Sequence, residues 1–316
     1  MIYRNSFKLI FSNSSMIWKL LVYFVMSIAV IVTINYFLTS SMYANIGIAE
    51  AIQQVPEAFT QFIKTFDVAA FLIAIKNVME ACLNIIISNF AEIWLYVVLA
   101  VVLGLLVPSM IINFYLMATC NTLHFYMGSN LNFGFVNSCF MKFWKNIRYQ
   151  LARLITLLPL KLITFYLVIK SFGLLEVNLA WIRLLAPFIT MLIYVVLTGF
   201  RIAIFSGWVP YMVVKNANVF NGLINGFKCI RKRFFKILGT GFAVVLTIIF
   251  ISVFGLFTFG VSLIITAPAA YLFIATFNMV SFYTATGLRY YIDSNNIYAP
   301  KKTEMIESYK IYKNII

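Results

Sequence analysis

Six long apolar stretches fill most of this chain, and its lysines and arginines gather at every second junction between them. Lys8 and Lys19 precede the first stretch; Lys142, Lys145, Arg148 and Arg153 precede the third; Lys228, Arg231, Lys232, Arg233 and Lys236 precede the fifth. A helix needs roughly 20 apolar residues to cross a hydrocarbon core about 30 Å thick. The runs Leu20–Leu38, Glu92 to beyond Pro108, Ile155–Lys170, Leu184–Trp208, Leu238–Phe254 and Val261–Tyr283 reach or approach that length. In hydrocarbon every backbone polar group must be bonded within its own segment, so each run is expected to be helical. The expected fold is all-α: an integral membrane helical bundle of about six transmembrane helices in tandem hairpins, with basic amphipathic helices on the cytoplasmic side.

Composition agrees with that solvent. The chain is 63% hydrophobic and 10% charged, whereas soluble domains carry about 25% charged residues. Its net charge of +15 does not imply nucleic acid, because the cations flank apolar spans and no soluble nucleic-acid module is visible. Basic segments beside spans report topology and attraction to anionic headgroups, worth about 1 kcal/mol per residue near the surface. The cysteines Cys82, Cys120, Cys139 and Cys229 lack CxxC spacing, and a cytoplasmic position for the last three argues against disulfides. Arg4 and Lys8 before an apolar run imitate a signal peptide. The run is too long for a signal core and Met42-Tyr43-Ala44 makes a poor cleavage site, so a retained first span is expected.

Orientation follows from Lys and Arg in short loops. The outer loops hold Lys64, Lys76, Lys170 and Arg183; the other side holds the basic segments plus Lys215, Arg289, Lys301, Lys302, Lys310 and Lys313. Both termini are therefore expected in the cytoplasm of a bacterium, around a multi-pass plasma (inner) membrane protein. Residues 39–90 read as an amphipathic outer segment broken at Pro56 and Phe66-Asp67. Within it, Asp67–Ile87 is long enough to cross, but the pair Lys76 and Glu80 at i,i+4 favours the outer interface.

An internal repeat organises the rest. Asn130-Leu131-Asn132 leads into Gly134-Phe135-Val136-Asn137 and a basic run; Asn216-Ala217-Asn218 leads into Gly222-Leu223-Ile224-Asn225 and another. Asn5-Ser6-Phe7-Lys8 with Trp18-Lys19 is a candidate first copy. The expectation is one membrane domain over 1–292, in units of about 1–129, 130–217 and 218–292, followed by a polar cytoplasmic tail over 293–316. Phe140, Phe143, Trp144, Ile147 and Leu151 recur at helical spacing among Lys142, Lys145 and Arg148, as Phe227, Ile230, Phe234 and Ile237 do among Lys228, Arg231, Lys232 and Arg233. Such helices can lie in the interface with their cations at lipid phosphates; the plainer role is a topological anchor that snorkels. The layout, with Phe227-Lys228 and Arg231-Lys232-Arg233-Phe234-Phe235 before the fifth span, resembles uncharacterised bacterial inner-membrane proteins similar to the membrane domain attached to some glycerophosphodiester phosphodiesterases. The resemblance covers about residues 130–292 and implies architecture alone, with no phosphodiesterase activity.

The chemistry of the chain is sparse. His124 is the only histidine, and none of the nine acidic residues sits centrally in a span. Proton-coupled pumps need an ionisable relay inside the membrane, and intramembrane hydrolases need a metal site or an activated nucleophile. Neither pattern is visible, so an enzyme, a cofactor and a metal are not expected; Cys120 and His124 share a helix face but read as packing. Lys161 and Arg201 lie within spans and can snorkel or line a cationic pocket, with Asn113, Asn278, Ser281 and Thr284 as its polar lining. The expected function is binding of anionic lipid headgroups and organisation or assembly of membrane components, the contacts being Lys161, Arg201, Lys142, Lys145, Arg148, Lys228, Arg231, Lys232 and Arg233. The alternative is a transporter or permease subunit for a small anionic or lipid-like substrate. Membrane lipids are the expected partners; a protein partner or a homo-oligomer stays open.

Overall fold

The computed structural model describes residues 1–38, 46–176, 180–258 and 262–299. Lys301, Lys302, Lys310, Lys313, most of the tail, residues 39–45 of the outer segment, and Val261 lie outside them. The helices are α1 (Ile2–Ser12), α2 (Ser15–Leu38), α3 (Ala49–Thr65), α4 (Val68–Ser88), α5 (Phe90–Val101), α6 (Val107–Asn113), α7 (Tyr115–Ser129), α8 (Phe135–Met141), α9 (Phe143–Phe172), α10 (Ala180–Phe205), α11 (Trp208–Val214), α12 (Val219–Ile230), α13 (Phe234–Phe257) and α14 (Leu263–Thr286). A short antiparallel pair, β1 (Tyr290–Tyr291) with β2 (Ile297–Tyr298), follows. The fold is thus all-α apart from this hairpin.

Among the described residues, seven helical segments are long and apolar enough to cross a membrane, one more than expected: Ser15–Tyr36, Ala69–Ser88, Phe90–Ser129, Phe143–Ser171, Leu185–Val214, Val219–Val253 and Leu263–Thr286. The chain is a multi-pass membrane protein. The additional candidate is α4. Its charges lie close enough to neutralise each other, with Lys76 Nζ 4.0 Å from Glu80 Oε1. Asp67 starts this helix by accepting the Ala70 N–H at 3.0 Å, the side-chain bond of an N-cap. Between α5 and α6 the helix opens into a π turn over Val102–Leu106. Pro108 has no N–H to return to Gly104 and its ring crowds that carbonyl, and a π turn absorbs such a misfit.

The chain divides into two compact units: Met1–Val25 with Asn113–Thr156 and Val195–Ile316, and Met26–Ile112 with Leu157–Tyr194. The first is built around α7, α11 and the second half of α14, which pack on one another. Nearly every residue of Tyr115–Met127, Trp208–Val213 and Leu272–Thr286 is buried. Each of these inner helices runs into a left-handed residue: Asn130 (φ 56°), Asn216 (φ 50°) and Gly287 (φ 70°). Asn and Gly adopt that conformation at least cost, which is why an Asn-x-Asn follows the first two. Against each inner helix lies one short helix: α8 on α7, α12 on α11, and the N-terminal α1 on α14. The start of the chain thus fills beside α14 the place that α8 and α12 fill beside their inner helices.

Each short helix buries a small residue. Ser138 of α8 hydrogen-bonds Asn121 (3.3 Å) and Thr122 (3.0 Å) of α7. Gly226 of α12 lies against Gly207, ahead of α11, so closely that a Cβ at Gly226 would stand 2.6 Å from the Gly207 carbonyl oxygen. In α1, Ser6 is fully buried and donates to its own Ile2 carbonyl. These residues sit in Asn5-Ser6-Phe7-Lys8, Asn137-Ser138 and Asn225-Gly226-Phe227-Lys228.

In the second unit α3 packs on α4 through the aromatic cluster Phe59, Phe62 and Phe71, and Ser171 bonds Thr190 at 2.9 Å.

Candidate functional site

The basic runs occupy three junctions in the first unit, each where a short helix hands over to a long one: α1 to α2, α8 to α9, and α12 to α13. Asn13, buried and bonded through its Nδ2 to the Leu9 carbonyl, makes the first turn. At the second, Lys142 leaves helical geometry (φ −126°) and its carbonyl accepts the Asn146 N–H at 2.8 Å. The third stays wound through a 3₁₀ turn, Arg231–Arg233.

The second junction is pinned from below. Asn146 Nδ2 donates to the Phe114 carbonyl and Gln150 Nε2 to the Asn113 carbonyl, both at 2.8 Å. Those carbonyls lie at the break between α6 and α7, where the helix leaves acceptors without intrahelical partners. Asn146 and Gln150 sit one turn apart on α9, so one face of that helix closes the break. Lys145 is committed as well: its Nζ donates to Asn216 Oδ1 at 2.9 Å and to the Met212 carbonyl at 3.4 Å, holding the C-terminal end of α11. Burial holds the half-buried Lys142 below the usual lysine range.

Exposure at the junctions pairs aromatic rings with cations. Phe11 and Trp18 accompany Lys8 and Lys19; Phe140 and Trp144 accompany Lys142 and Arg148; Phe220, Phe227 and Phe235 accompany Lys228, Arg231, Lys232 and Lys236. Ile230 and Ile237 turn fully into the protein instead, while Arg233 is half-buried. Among the described residues, no acidic side chain pairs with Lys142, Arg148, Lys228, Arg231, Lys232 or Lys236.

The remaining candidates separate. Lys161 belongs to the second unit, is exposed, and donates to Ser109 Oγ at 3.4 Å. Arg201 lies half-buried on α10 in the first unit. Asn278, Ser281 and Thr284 are buried along α14; Thr284 bonds the Tyr290 hydroxyl at 3.4 Å, whereas Asn278 Oδ1, Ser281 Oγ and Thr119 Oγ1 have no hydrogen-bond partner among the described residues. Asn113 is half-buried and takes part through its carbonyl. His124 Nδ1 is 2.6 Å from Tyr283 Oη, which ties α7 to α14. Burial pushes the Cys139 thiol up to about 11, far from a reactive thiolate. Among the described residues, no group of three or more His, Cys, Asp or Glu side chains could hold a metal ion.

No family model, no curated protein and no solved structure matches the chain. The junctions are therefore read on their own chemistry. Each combines rings suited to the headgroup level with cations suited to phosphate oxygens, at the ends of helices long enough to cross.

Proposed function

We propose that this is a non-enzymatic protein of the bacterial plasma membrane that binds anionic lipid headgroups at its three helix junctions and organises or assembles membrane components. One observation carries the reading: each junction exposes aromatic side chains beside cations, and those of the second and third lack acidic partners among the described residues. Tryptophan and other amphipathic rings settle at the headgroup level, and cations there gain about 1 kcal/mol each from an anionic leaflet. The layout shared with membrane domains attached to some glycerophosphodiester phosphodiesterases belongs to the same reading. The burial of Asn278, Ser281 and Thr284 inside a packed unit supports it over a transporter or permease subunit.

Orientation is part of the proposal. Asn5 on α1 bonds Tyr290 after α14 at 2.8 Å, which supports both termini on one face and an even number of crossings. The excess of Lys and Arg at the junctions makes that face cytoplasmic by the positive-inside rule. An even count leaves α4 at the outer interface or pairs it with a further crossing.

The test is lipid retention. Delipidated protein would be exposed to equal amounts of phosphatidylglycerol and phosphatidylcholine and read by native mass spectrometry. Anionic lipid should be retained preferentially, and the preference should fall when Lys142, Arg148, Lys228, Arg231 and Lys232 are changed to Gln. Lys161→Ala with Arg201→Ala reports on the in-span cations separately. Equal retention of both lipids by the unaltered protein defeats the reading.

A further inference from the structure

The three junctions are not equivalent in free charge. At the first, the Asp293 carboxyl, held below its usual pKa chiefly by hydrogen bonds from the Asn296 side chain and the Asn295 N–H, also feels the Lys8 charge. At the second, Lys145 is spent on the end of α11, which leaves Lys142, Arg148 and the half-buried Arg153. The third keeps Lys228, Arg231, Lys232 and Lys236 exposed within nine consecutive positions, none with an acidic partner among the described residues.

The local backbone explains the concentration. A 3₁₀ turn advances by about 120° per residue instead of the α-helical 100°. Over Arg231–Arg233 this swings Arg231 and Lys232 to the exposed side, while Arg233 turns half inward between Ile230 and Ile237, which are fully buried. Lys228 reaches the same side from the last turn of α12, and Lys236 from the first turn of α13. Phe235, 84% exposed, and Phe227 stand among them. Four like charges this close repel one another, and like-charged side chains one turn apart destabilise a helix. A single phosphodiester would leave most of that charge uncompensated. A ligand with two phosphates would answer it, with arginine as its fork-shaped donor and the lysines as point charges.

We propose that the α12–α13 junction is a subsite for a ligand bearing two phosphate groups, in the first instance a two-phosphate lipid headgroup seated between Phe227 and Phe235. This rests on the lipid-binding reading above and narrows it to one junction and one headgroup class.

The experiment uses the full chain, delipidated in detergent and exposed to an equimolar mixture of cardiolipin, phosphatidylglycerol and phosphatidylcholine, with bound lipid counted by native mass spectrometry. Cardiolipin should be retained about fivefold over phosphatidylglycerol, because one further cation–phosphate pairing is worth about 1 kcal/mol. The variant K228Q/R231Q/K232Q should lose that preference while still favouring phosphatidylglycerol over phosphatidylcholine; K142Q/R148Q should keep it. All these positions are exposed or half-buried, and an unchanged thermal midpoint confirms folding. No preference for cardiolipin, with anionic lipid still favoured over neutral, overturns the subsite and leaves the broader reading standing. A preference that survives in K228Q/R231Q/K232Q also overturns it. Inorganic diphosphate added as competitor identifies the source of the phosphates: displacement of cardiolipin assigns the site to a soluble diphosphate, and its failure to displace assigns it to lipid.

Discussion

Asn5 and Tyr290, 285 positions apart in the chain, are joined by a 2.8 Å hydrogen bond from the Asn5 amide to the phenol oxygen. Both are buried, Tyr290 almost completely, and Thr284 shares the same hydroxyl. Removing the hydroxyl strands the Asn5 donor inside the protein, which costs about 1–3 kcal/mol. Tyr290→Phe should therefore lower the unfolding midpoint and speed amide exchange along α1. Burial raises the Tyr290 pKa above that of an ordinary phenol. The contribution of burying the neutral phenol is then fully present below the unfolded-state pKa and lost as pH rises through the raised one, although the Asn5 donor itself favours the phenolate. The deficit of the variant should be constant from neutral to mildly alkaline pH and shrink at strongly alkaline pH. A variant as stable as the parent at neutral pH would show the bond to be dispensable.

The same bond fixes a topological expectation. Cysteines introduced at Arg4 and at Ser294, both exposed, should react with a membrane-impermeant maleimide from the same side of sealed vesicles. Cys120 and Cys229 are buried and contribute little background. Labelling from opposite sides would mean an odd number of crossings and would make α4 a true span.

Gly226 and Gly207 set a third prediction. A Cβ on either would fall under 3.0 Å from the other's backbone, and backbone cannot yield as a side-chain tip can. Gly226→Ala should destabilise by about 1–3 kcal/mol through forced separation of α11 and α12. Gly239 is the control: a Cβ there meets nothing within 4 Å, and the gain in helix propensity should leave Gly239→Ala slightly more stable, by about 0.5–1 kcal/mol. Thermal unfolding of the two variants in one detergent reads both signs. Equal behaviour would deny the close approach.

These contacts show what the sequence discloses and what it hides. The basic junctions, and the Asn-x-Asn turns that become left-handed at Asn130 and Asn216, were visible because charge and turn chemistry are sparse in an apolar chain. The N-terminal Asn5-Ser6-Phe7-Lys8 carried its own signal: its match to Asn225-Gly226-Phe227-Lys228 aligns Ser6 with Gly226, small residues that both short helices bury. The directions of the apolar side chains were not visible. Ile230 and Ile237 turn inward and Phe235 outward, yet in a membrane protein both environments are apolar and periodicity cannot separate them. The α4 segment was ambiguous for a related reason, since the Lys76–Glu80 pair forms on one face whether the helix lies at the interface or crosses. Nothing in the sequence distinguishes Asn146 and Gln150 from ordinary polar members of a basic helix. Their role appears only when the break after Asn113, distant in sequence, is brought beneath them.

Lys145 separates stability from lipid contact. Sequence alone groups it with Lys142 and Arg148 as a cation facing headgroups, but its Nζ is engaged with Asn216 and the Met212 carbonyl at the end of α11. A cation there satisfies acceptors that the helix leaves open and complements the negative end of its dipole. Lys145→Met keeps most of the apolar stem and deletes the donor, at a cost of about 0.5–1.5 kcal/mol. The expected result is a lower unfolding midpoint with unchanged preference for anionic over neutral lipid, whereas Lys142→Gln with Arg148→Gln should do the reverse. The Asn216→Ala partner removes only one of the two acceptors, so its loss should be smaller than that of Lys145→Met, and the double variant should lose less than the sum. If Lys145→Met instead weakens lipid retention and leaves stability intact, the ammonium serves the headgroup and its bonds to α11 are incidental.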